Sequence, residues 1–283
     1  MVLGIDVGGT TIKFGVVDAL GNISAAEKFA TEEYTKSPQE FISLIQSLAS
    51  KHKVKGIGIG FPGQLSLDRK TVIELTNIPS LNRCKVHDLL QNIFPDLKIA
   101  LENDARCAAM AEYRFGKYQQ NNFLLITLGT GVGGGLILNG ELFKGGNGNA
   151  AEVGMIPVGE GKYLEDYIGQ KQIVTYAESL LKEKDLSVLT LYNRAKTGDS
   201  RALEVFKYVG NLLGEAIISM IHLYDIHTII IGGGVGNSFD VLQPFIMEIL
   251  NHRLSPYYLN DLKILPASHQ NDTGIIGAAS LVV

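Results

Sequence analysis

One arrangement of residues occurs twice in the chain: an apolar segment, a turn that contains glycines and a second apolar segment. The first copy spans residues 2–17 and the second spans residues 123–143. Short apolar segments bounded by glycine turns are typical of β-strands, so each copy predicts an antiparallel pair. Helical patterns follow at 38–52 and 202–224, and strands mixed with helices predict an α/β fold. Because the order of elements repeats, we expect two related α/β domains.

The predicted N-terminal domain comprises residues 1–115 and 267–283, and the predicted C-terminal domain comprises residues 116–266. No long segment of proline and serine separates the halves, so the boundary is placed at a hinge near Gly116. Ligands favour the cleft between such domains. We therefore expect the functional site in an interdomain cleft.

Composition argues against several classes of function. The 25 basic and 29 acidic residues give a formal net charge of −4, and no block of Lys and Arg is present, which disfavours a nucleic-acid partner. The apolar segment 217–235 is interrupted by polar residues and glycines, so we expect no membrane span. No signal-peptide pattern follows Met1, which predicts a cytoplasmic protein. Cys84 and Cys107 lack CxxC partners, so we expect neither disulfides nor a zinc site made of several thiolates.

The turn of the first copy, Asp6–Lys13, combines two glycines with two threonines, a carboxylate and an ammonium group. Glycines let a backbone approach phosphate oxygens closely, and the N–H groups of such a turn can bind an anion. Asp6, at the strand end, is placed to hold magnesium through water. A plain β-hairpin fits the same residues, because glycine pairs are common in hairpin turns.

The turn of the second copy, within Leu128–Gly135, has five glycines in seven positions, more than a hairpin requires. This excess predicts a second loop that faces phosphate groups. Gly58 and Gly129 each begin a GxGxxG pattern, but neither pattern is followed by the helix of a βαβ unit. A dinucleotide-binding fingerprint therefore lacks its context, and the sequence contains no P-loop.

The segment Glu102–Ala105 lies where a predicted strand meets a predicted helix, so Asp104 is expected at or near the helix N-cap. Capping alone could explain an Asp at this position. Phosphoryl transfer to an alcohol, however, needs a carboxylate that accepts the hydroxyl proton, and helix N–H groups would keep Asp104 ionised. We expect Asp104 to be a catalytic base.

Two further carboxylates follow in loop-like segments. Glu152 belongs to the segment Gly148–Met155, and Glu165 belongs to the segment Tyr163–Tyr167. Paired carboxylates can accept hydrogen bonds from sugar hydroxyls, whereas a solvated loop acid fits each residue equally well. Both interpretations remain open from these residues alone.

The motifs IDVGGTTIK, GFPG, ENDA, LGTGVGGG, AAEVG and NDTGIIGAAS follow one another along nearly the whole chain. In these motifs the chain resembles the ROK family of bacterial sugar kinases and sugar-responsive repressors, within the actin-like, hexokinase-like ATPase superfamily. The resemblance implies two domains of the ribonuclease H-like/actin-like type that bind ATP, Mg²⁺ and a hexose. It implies a kinase that transfers the γ-phosphate of ATP to a hexose hydroxyl, with glucose at carbon six as the expected acceptor.

The resemblance also implies roles for individual residues. Asp104 would be the catalytic base and Asp6 would support magnesium. The residues that would hold the nucleotide are Asp6, Gly8, Gly9, Thr10, Thr11, Lys13, Gly129, Thr130, Gly131, Gly233 and Gly234. The residues that would contact the sugar are Gly63, Asn77, Asn103, Asp104, Glu152 and Glu165.

The chain departs from the family in the segment that usually reads A-G-E-[IL]-G-H. Ala151 stands where the family has glycine, and Met155 stands where it has a histidine that binds zinc and sugar. The family's cysteine-rich segment is represented by residues 159–163, which contain no cysteine. We therefore expect no zinc site. In its place we expect four residues to pack together: Met155, Ile156, Leu164 and Tyr167.

Other members of the family leave alternatives open. The acceptor could be N-acetylmannosamine, fructose or a β-glucoside, and the donor could be polyphosphate. The repressors carry an added N-terminal DNA-binding unit, for which we expect no room before the first hairpin. The non-enzyme alternative is a sugar-sensing regulator without a DNA-binding domain. The resemblance also suggests a homodimer.

Overall fold

The computed structural model describes residues 1–159, 161–269 and 272–283. Glu160, Gln270 and Asn271 lie outside the described residues; Glu160 belongs to the segment without cysteines, and Asn271 opens the NDTGIIGAAS motif. No helix in the described ranges is long and apolar enough to cross a membrane.

The described strands, in chain order, are β1 (Val2–Val7), β2 (Thr11–Val17), β3 (Ile23–Ala30), β4 (Gly56–Phe61), β5 (Gln64–Leu65), β6 (Val72–Glu74), β7 (Lys98–Asn103), β8 (Phe123–Leu128), β9 (Val132–Leu138), β10 (Glu141–Leu142), β11 (Pro157–Gly159), β12 (Lys162–Tyr163), β13 (Thr228–Gly232) and β14 (Lys263–Pro266). The described α-helices are α1 (Thr31–Tyr34), α2 (Pro38–His52), α3 (Val86–Ile93), α4 (Asp104–Phe115), α5 (Glu165–Ile168), α6 (Gln170–Leu181), α7 (Val188–Lys196), α8 (Ser200–Tyr224), α9 (Gly233–Gly236), α10 (Phe239–Arg253), α11 (Pro256–Leu259) and α12 (Thr273–Ser280). Short 3₁₀ turns occur at Pro79–Leu81 and Val153–Met155.

Among the described residues, two five-stranded sheets share one strand order. The first sheet runs β3-β2-β1-β4-β7 and the second runs β10-β9-β8-β13-β14. In the first, β1 pairs antiparallel with β2 and parallel with β4; in the second, β13 pairs parallel with β8 and β14. The β1–β2 and β8–β9 turns therefore hold equivalent positions. This equivalence confirms the predicted duplication and the α/β fold class.

Parallel pairing brings the carboxyl ends of β1, β4 and β7 to one edge of the first sheet. Asp6 lies opposite Gly60, and Gly60 lies opposite Glu102. Ligands of open α/β sheets bind at such an edge. The register therefore places Asp6 at the same edge of the sheet as the ends of β4 and β7, which precede Gly63 and Asp104.

Glycines in the strands allow a helix to pack closely on the first sheet. A Cβ atom at Gly58 would overlap the carbonyl oxygen of Ala278, and one at Gly4 would overlap that of Ile275. Both carbonyls belong to α12, so Gly4 and Gly58 allow this helix to pack closely on the sheet. The GxGxxG pattern that begins at Gly58 thus has a structural explanation.

Helix α2 begins as its sequence predicts. The side chain of Ser37 accepts a hydrogen bond from the Glu40 N–H group at 3.3 Å, and Pro38 is the first helical residue. The apolar face of α2, including Phe41 and Ile45, is buried in the core with Phe14 of β2.

The chain forms two compact units. Unit 1 comprises Met1–Asn121, Gly135–Ala151 and Asn271–Val283, and unit 2 comprises Asn122–Gly134 and Glu152–Gln270. Residues 116–121 and 135–151 belong to unit 1, whereas the sequence analysis assigned them to the C-terminal domain. The predicted domain boundaries stay a prediction.

Candidate active site

In unit 1, the β1–β2 turn is held by backbone hydrogen bonds and by one threonine. The Gly8 N–H group donates to the Thr11 carbonyl at 3.0 Å. Thr31 then donates its hydroxyl to the Gly8 carbonyl at 2.8 Å and its N–H group to the Thr10 carbonyl at 3.0 Å. Asn77 lies against the turn, because a Cβ atom at Gly9 would come within 3.1 Å of its Nδ2 atom. The turn is therefore fixed, and Asn77 lies beside the predicted phosphate-binding residues.

Asp6 is half-buried at the end of β1 and lies opposite Lys13 on β2. Burial raises the pKa of Asp6, while the charge of Lys13 lowers it to a smaller extent. A Cβ atom at Gly274 of α12 would overlap the Asp6 carboxylate, so any larger residue there would displace that side chain. The described residues contain no group of three or more His, Cys, Asp or Glu side chains that could hold a metal ion directly. A single carboxylate can hold magnesium through the water shell of the ion, so Asp6 stays the predicted magnesium residue.

Asn103, and not Asp104, is the N-cap of α4. Its side-chain oxygen accepts hydrogen bonds from the Ala105 and Arg106 N–H groups at 3.0 and 3.2 Å. Asp104 is the first helical residue, and its Oδ1 atom also accepts from Ala105 at 2.8 Å. The expectation that Asp104 lies at or near the N-cap is confirmed. Asn103 is therefore the cap, and Asp104 adds a carboxylate in the first turn of the helix, where negative charge is favourable.

The same Asn103 connects α4 to the GFPG turn. Its amide nitrogen donates to the Phe61 and Gly63 carbonyls at 3.4 and 3.3 Å. Gly63 has its own structural requirement, since a Cβ atom there would overlap the carbonyl oxygen of Glu74. The structure thus brings Gly63 and Asn103 together, and their predicted sugar contacts stay predictions.

Three carboxylates of unit 1 act on one buried thiol. Burial raises the pKa of Cys107 well above its usual range, and the negative charges of Glu102, Asp104 and Asp6 raise it further. The predicted base and the predicted magnesium ligand therefore lie within electrostatic reach of the same group. Cys107 itself stays an inert thiol in this setting.

A buried ionic cluster, which no sequence motif predicted, lies beside Asn103. The Nε atom of Arg69 lies 2.8 Å from Oε2 of Glu102, and Oε1 of Glu102 accepts the Asn103 N–H group at 2.9 Å. Arg106 lies one helical turn beyond Glu102, with Nη1 4.0 Å from Oε1. The three residues are 8% (Arg69), 2% (Glu102) and 1% (Arg106) exposed, so they form a buried ionic cluster and not a surface ion pair. Only the ENDA segment gave a signal for this cluster, because Arg69 lies far away in sequence.

In unit 2, the β8–β9 turn is joined to Glu165. The Gly129 N–H group donates to the Gly131 carbonyl at 2.9 Å. Oε2 of Glu165 accepts the Val132 N–H group at 2.7 Å. A Cβ atom at Gly131 would overlap that oxygen, whereas one at Gly129 would meet nothing within 4 Å. Glu165 is therefore an anchored residue at the glycine turn and not a loosely solvated acid.

Helix α6 begins beside the same turn. The Gln170 N–H group donates to the Gly129 carbonyl at 2.9 Å. A cavity of about 460 Å³ adjoins this junction and is lined by Thr130, Gln170, Lys171, Val174, Thr175 and Glu178. A helix N-terminus with a lysine in its first turn favours anions. Gln170 and Lys171 could not be predicted from the sequence, because nothing in the motif pattern distinguishes them from ordinary helix residues.

Gly233 lies at the end of the neighbouring strand β13. Its φ angle is +86°, and a Cβ atom there would overlap the carbonyl oxygen of Leu128, the residue before the glycine turn. A Cβ atom added at Gly234 would have no neighbour within 4 Å. Unit 2 thus brings Gly233 close to Gly129–Gly131, and their predicted contact with nucleotide stays a prediction.

The segment that departs from the family is stabilised by a small hairpin. Strands β11 and β12 pair Pro157 with Tyr163, and the Leu164 N–H group donates to the Ile156 carbonyl at 2.9 Å. Leu164 is buried, but Met155 is 44% exposed. The expected packing of Met155 with Ile156, Leu164 and Tyr167 stays a prediction. Backbone pairing connects the segment that follows Glu152 to the segment that precedes Glu165.

Comparison with known proteins gives one family. The model described as the ROK family matches residues 2–283. A glucokinase of Halalkalibacterium halodurans is 31% identical over 99% of this chain and 94% of its own length. A β-glucoside kinase of Listeria monocytogenes is 29% identical over 98% of this chain and 95% of its own length.

The chain is also similar to solved structures of sugar kinases. A putative sugar kinase from Cytophaga hutchinsonii superposes with a TM-score of 0.94 and 38% identity, over 100% of this chain and 99% of that one. A ROK family glucokinase from Streptomyces griseus, in complex with glucose and AMPPNP, gives a TM-score of 0.83 and 26% identity, over 99% and 98% of the two chains.

Proposed function

The chain belongs to the ROK family and is an ATP-dependent sugar kinase, and we propose that it phosphorylates glucose at carbon six. The observation that carries this proposal is the position of Asp104. It is the first residue of α4, at the carboxyl end of β7, and a neighbouring side chain provides the helix cap. The S. griseus glucokinase, which shares this fold, binds glucose and a nucleotide.

Asp104 acts on the acceptor. It accepts the proton of the attacking sugar hydroxyl as the bond to the γ-phosphorus forms. The N-terminus of α4 favours a negative charge at this position. Asn103 fixes the helix start and hence the position of the base, through its hydrogen bonds to Ala105 and Arg106.

The two glycine turns act on the donor. We assign the phosphates to Gly8–Thr11 in unit 1 and to Gly129–Gly131 in unit 2, with Lys13 adding positive charge. The cavity beside Thr130 and Lys171 is large enough for the rest of a nucleotide. Gly233 and Gly234 complete this side of unit 2. We assign Mg²⁺ to Asp6 through water; when bound, the ion neutralises phosphate oxygens.

The remaining candidates are assigned to sugar binding. Asn77 lies beside the first glycine turn, and Gly63 and Asn103 lie at the GFPG turn. Glu165, fixed by the Val132 N–H group, presents a carboxylate of defined orientation. Glu152 follows the loop 148–151 directly. These groups can accept or donate hydrogen bonds to sugar hydroxyls, and they define the acceptor side of the site.

Other acceptors and donors remain as alternatives within the same reaction. The relation to a β-glucoside kinase supports a test of substituted glucose, as does Met155 in place of the family histidine, because an unmade hydrogen bond cannot reject an analogue. N-acetylmannosamine, fructose and polyphosphate belong in the same test. A homodimer is proposed from the resemblance to the family.

The test is a coupled assay of product formation with ATP or polyphosphate as donor. The acceptors are glucose, mannose, fructose, N-acetylmannosamine and a β-glucoside. We expect the highest kcat/KM for glucose with ATP and Mg²⁺. Higher kcat/KM for another sugar would reassign the acceptor, and a chain that binds sugar but consumes no donor would be a sugar sensor.

A further inference from the structure

A buried cluster of two arginines and one glutamate holds three separate segments of unit 1 together. We define the arginine clamp as Arg69, Glu102 and Arg106. Arg69 lies in the turn between β5 and β6, Glu102 at the end of β7, and Arg106 in the first turn of α4. We propose that this clamp positions the sugar-binding and proton-accepting residues for the kinase reaction. The inference rests on the proposed function and adds positioning residues to it.

The clamp reaches the loop 148–151 by way of backbone carbonyls. Arg69 donates from Nη2 to the Gly148 carbonyl, and Arg106 donates from Nη2 to the Ala150 carbonyl. Gly148 has no side chain where the guanidinium packs, since a Cβ atom there would lie 2.7 Å from Nη1 of Arg69. These carbonyls lie outside helices and strands. The two arginines therefore fix a loop that regular secondary structure leaves unsupported.

The same clamp fixes the start of α4. Oε1 of Glu102 accepts the Asn103 N–H group at 2.9 Å, while Oε2 binds Arg69 at 2.8 Å. Asn103 caps α4, and Asp104 is the next residue. A shift of Arg69 would therefore move both the peptide that precedes the base and the loop that precedes Glu152. Both belong to the acceptor side, and neither belongs to the nucleotide side.

The local backbone shows that Arg69 is directed inward by its turn. Arg69 has a φ angle of +58°, in the left-handed region, and its N–H group donates to the Ser66 carbonyl at 2.9 Å. Its Nη1 atom donates to that same carbonyl at 3.0 Å. A long side chain in this conformation, only 8% exposed, is a specific arrangement. Lysine could not reproduce it, because one ammonium group lacks the planar set of donors.

An open cavity makes the clamp accessible to chemical rescue. A pocket of about 720 Å³ within unit 1 is lined in part by Arg69 and Glu102, but not by Arg106. Removal of the Arg69 side chain would extend this pocket toward the carboxylate of Glu102. Free guanidinium could then enter and restore the missing donors. Arg106 is only 1% exposed and does not line this pocket, so we expect free guanidinium not to reach the space that its side chain occupies.

The experiment compares Arg69→Ala, Arg69→Lys and Arg106→Ala with wild type. We expect Arg69→Ala and Arg69→Lys to lower kcat and to raise the sugar KM, with kcat/KM for sugar reduced about 100-fold, the usual scale for misplaced groups. The KM for ATP should change less than about threefold, on the same reasoning. Guanidinium at millimolar concentration should restore Arg69→Ala in a saturable way and leave Arg106→Ala unrestored.

Arg194→Met is the matched control. Arg194 also binds two carboxylates, those of Glu183 and Asp199, but it is partly exposed in unit 2. We expect its loss to leave both KM values unchanged. A purely structural role for Arg69 would reduce the fraction of folded enzyme and lower kcat alone, so an unchanged sugar KM in both Arg69 variants would overturn the clamp. An inactive wild-type chain would instead overturn the proposed function.

Discussion

Gly131→Ala tests whether the second glycine turn and Glu165 form one unit. The added Cβ atom would lie 3.1 Å from Cδ of Glu165 and would overlap its Oε2 atom. The carboxylate must therefore move, and its 2.7 Å hydrogen bond from the Val132 N–H group is lost. A hydrogen bond to a charged acceptor contributes about 1.5–3 kcal/mol. We expect the free energy of unfolding to fall by about 2 kcal/mol, a fall of roughly 4–8 °C in Tm.

The kinetic consequence follows from the same displacement. If Glu165 orients the sugar, about 2 kcal/mol of lost orientation reduces kcat/KM for sugar by roughly 30-fold. Thermal unfolding followed by circular dichroism measures the first effect, and the coupled assay measures the second. Glu165→Gln completes a double-mutant cycle with Gly131→Ala. In the Glu165→Gln background, Gly131→Ala should lower the free energy of unfolding by less, because the charged partner is already absent.

Gly129→Ala is the matched control for this prediction. Its Cβ atom would meet nothing within 4 Å, so Tm should stay at the wild-type value. A methyl group in a phosphate-binding turn should nevertheless raise the KM for ATP. Equal Tm values for the two variants, together with an unchanged sugar KM in Gly131→Ala, would refute the link between this turn and Glu165.

Three further predictions concern the Asp6 carboxylate, the backbone at Ala151 and zinc. Gly274→Ala should raise the Mg²⁺ concentration needed for half-maximal activity, because its Cβ atom would overlap the Asp6 carboxylate; a Mg²⁺ titration identical to wild type would contradict the assignment of Asp6. Ala151→Gly should stabilise the protein by about 1 kcal/mol, because Ala151 has a φ angle of +63° that glycine adopts without strain; denaturant unfolding checks this, and a loss of stability would be the contrary result. Treatment with a zinc chelator, followed by addition of Mg²⁺, should leave activity and Tm unchanged, because we expect no zinc site. Elemental analysis of the untreated protein checks this, and one tightly held zinc per chain would contradict the prediction.

The sequence predicts the local elements of this fold well, because each depends on residues near one another. The β1–β2 pair, the cap of α2 by Ser37 and the repeated glycine turn are examples. The identity of the α4 cap was harder to predict, since Asn and Asp are both favoured at N-caps and stand side by side at 103 and 104. Only the hydrogen bonds assign the cap to Asn103.

Contacts between segments that are distant in sequence could not be predicted from local sequence patterns. Arg69 and Glu102 are 33 positions apart, and Arg69 and Gly148 are 79 positions apart. A single arginine in a polar turn carries no signal of burial, so its role emerges only from the tertiary structure. The same holds for Met155. The sequence shows a methionine where the family has a histidine, but it does not show that Met155 is exposed or that a backbone hairpin follows it.

The most direct test of the proposed reaction is the rate of glucose 6-phosphate formation by Asp104→Asn, measured beside glucose binding by calorimetry. Asn keeps the shape of the side chain but cannot accept the hydroxyl proton. We expect kcat to fall by about two orders of magnitude or more, the usual scale for loss of a general base, while the Kd for glucose stays within about threefold of wild type. A kcat near the wild-type value would contradict the assignment of Asp104 as the base.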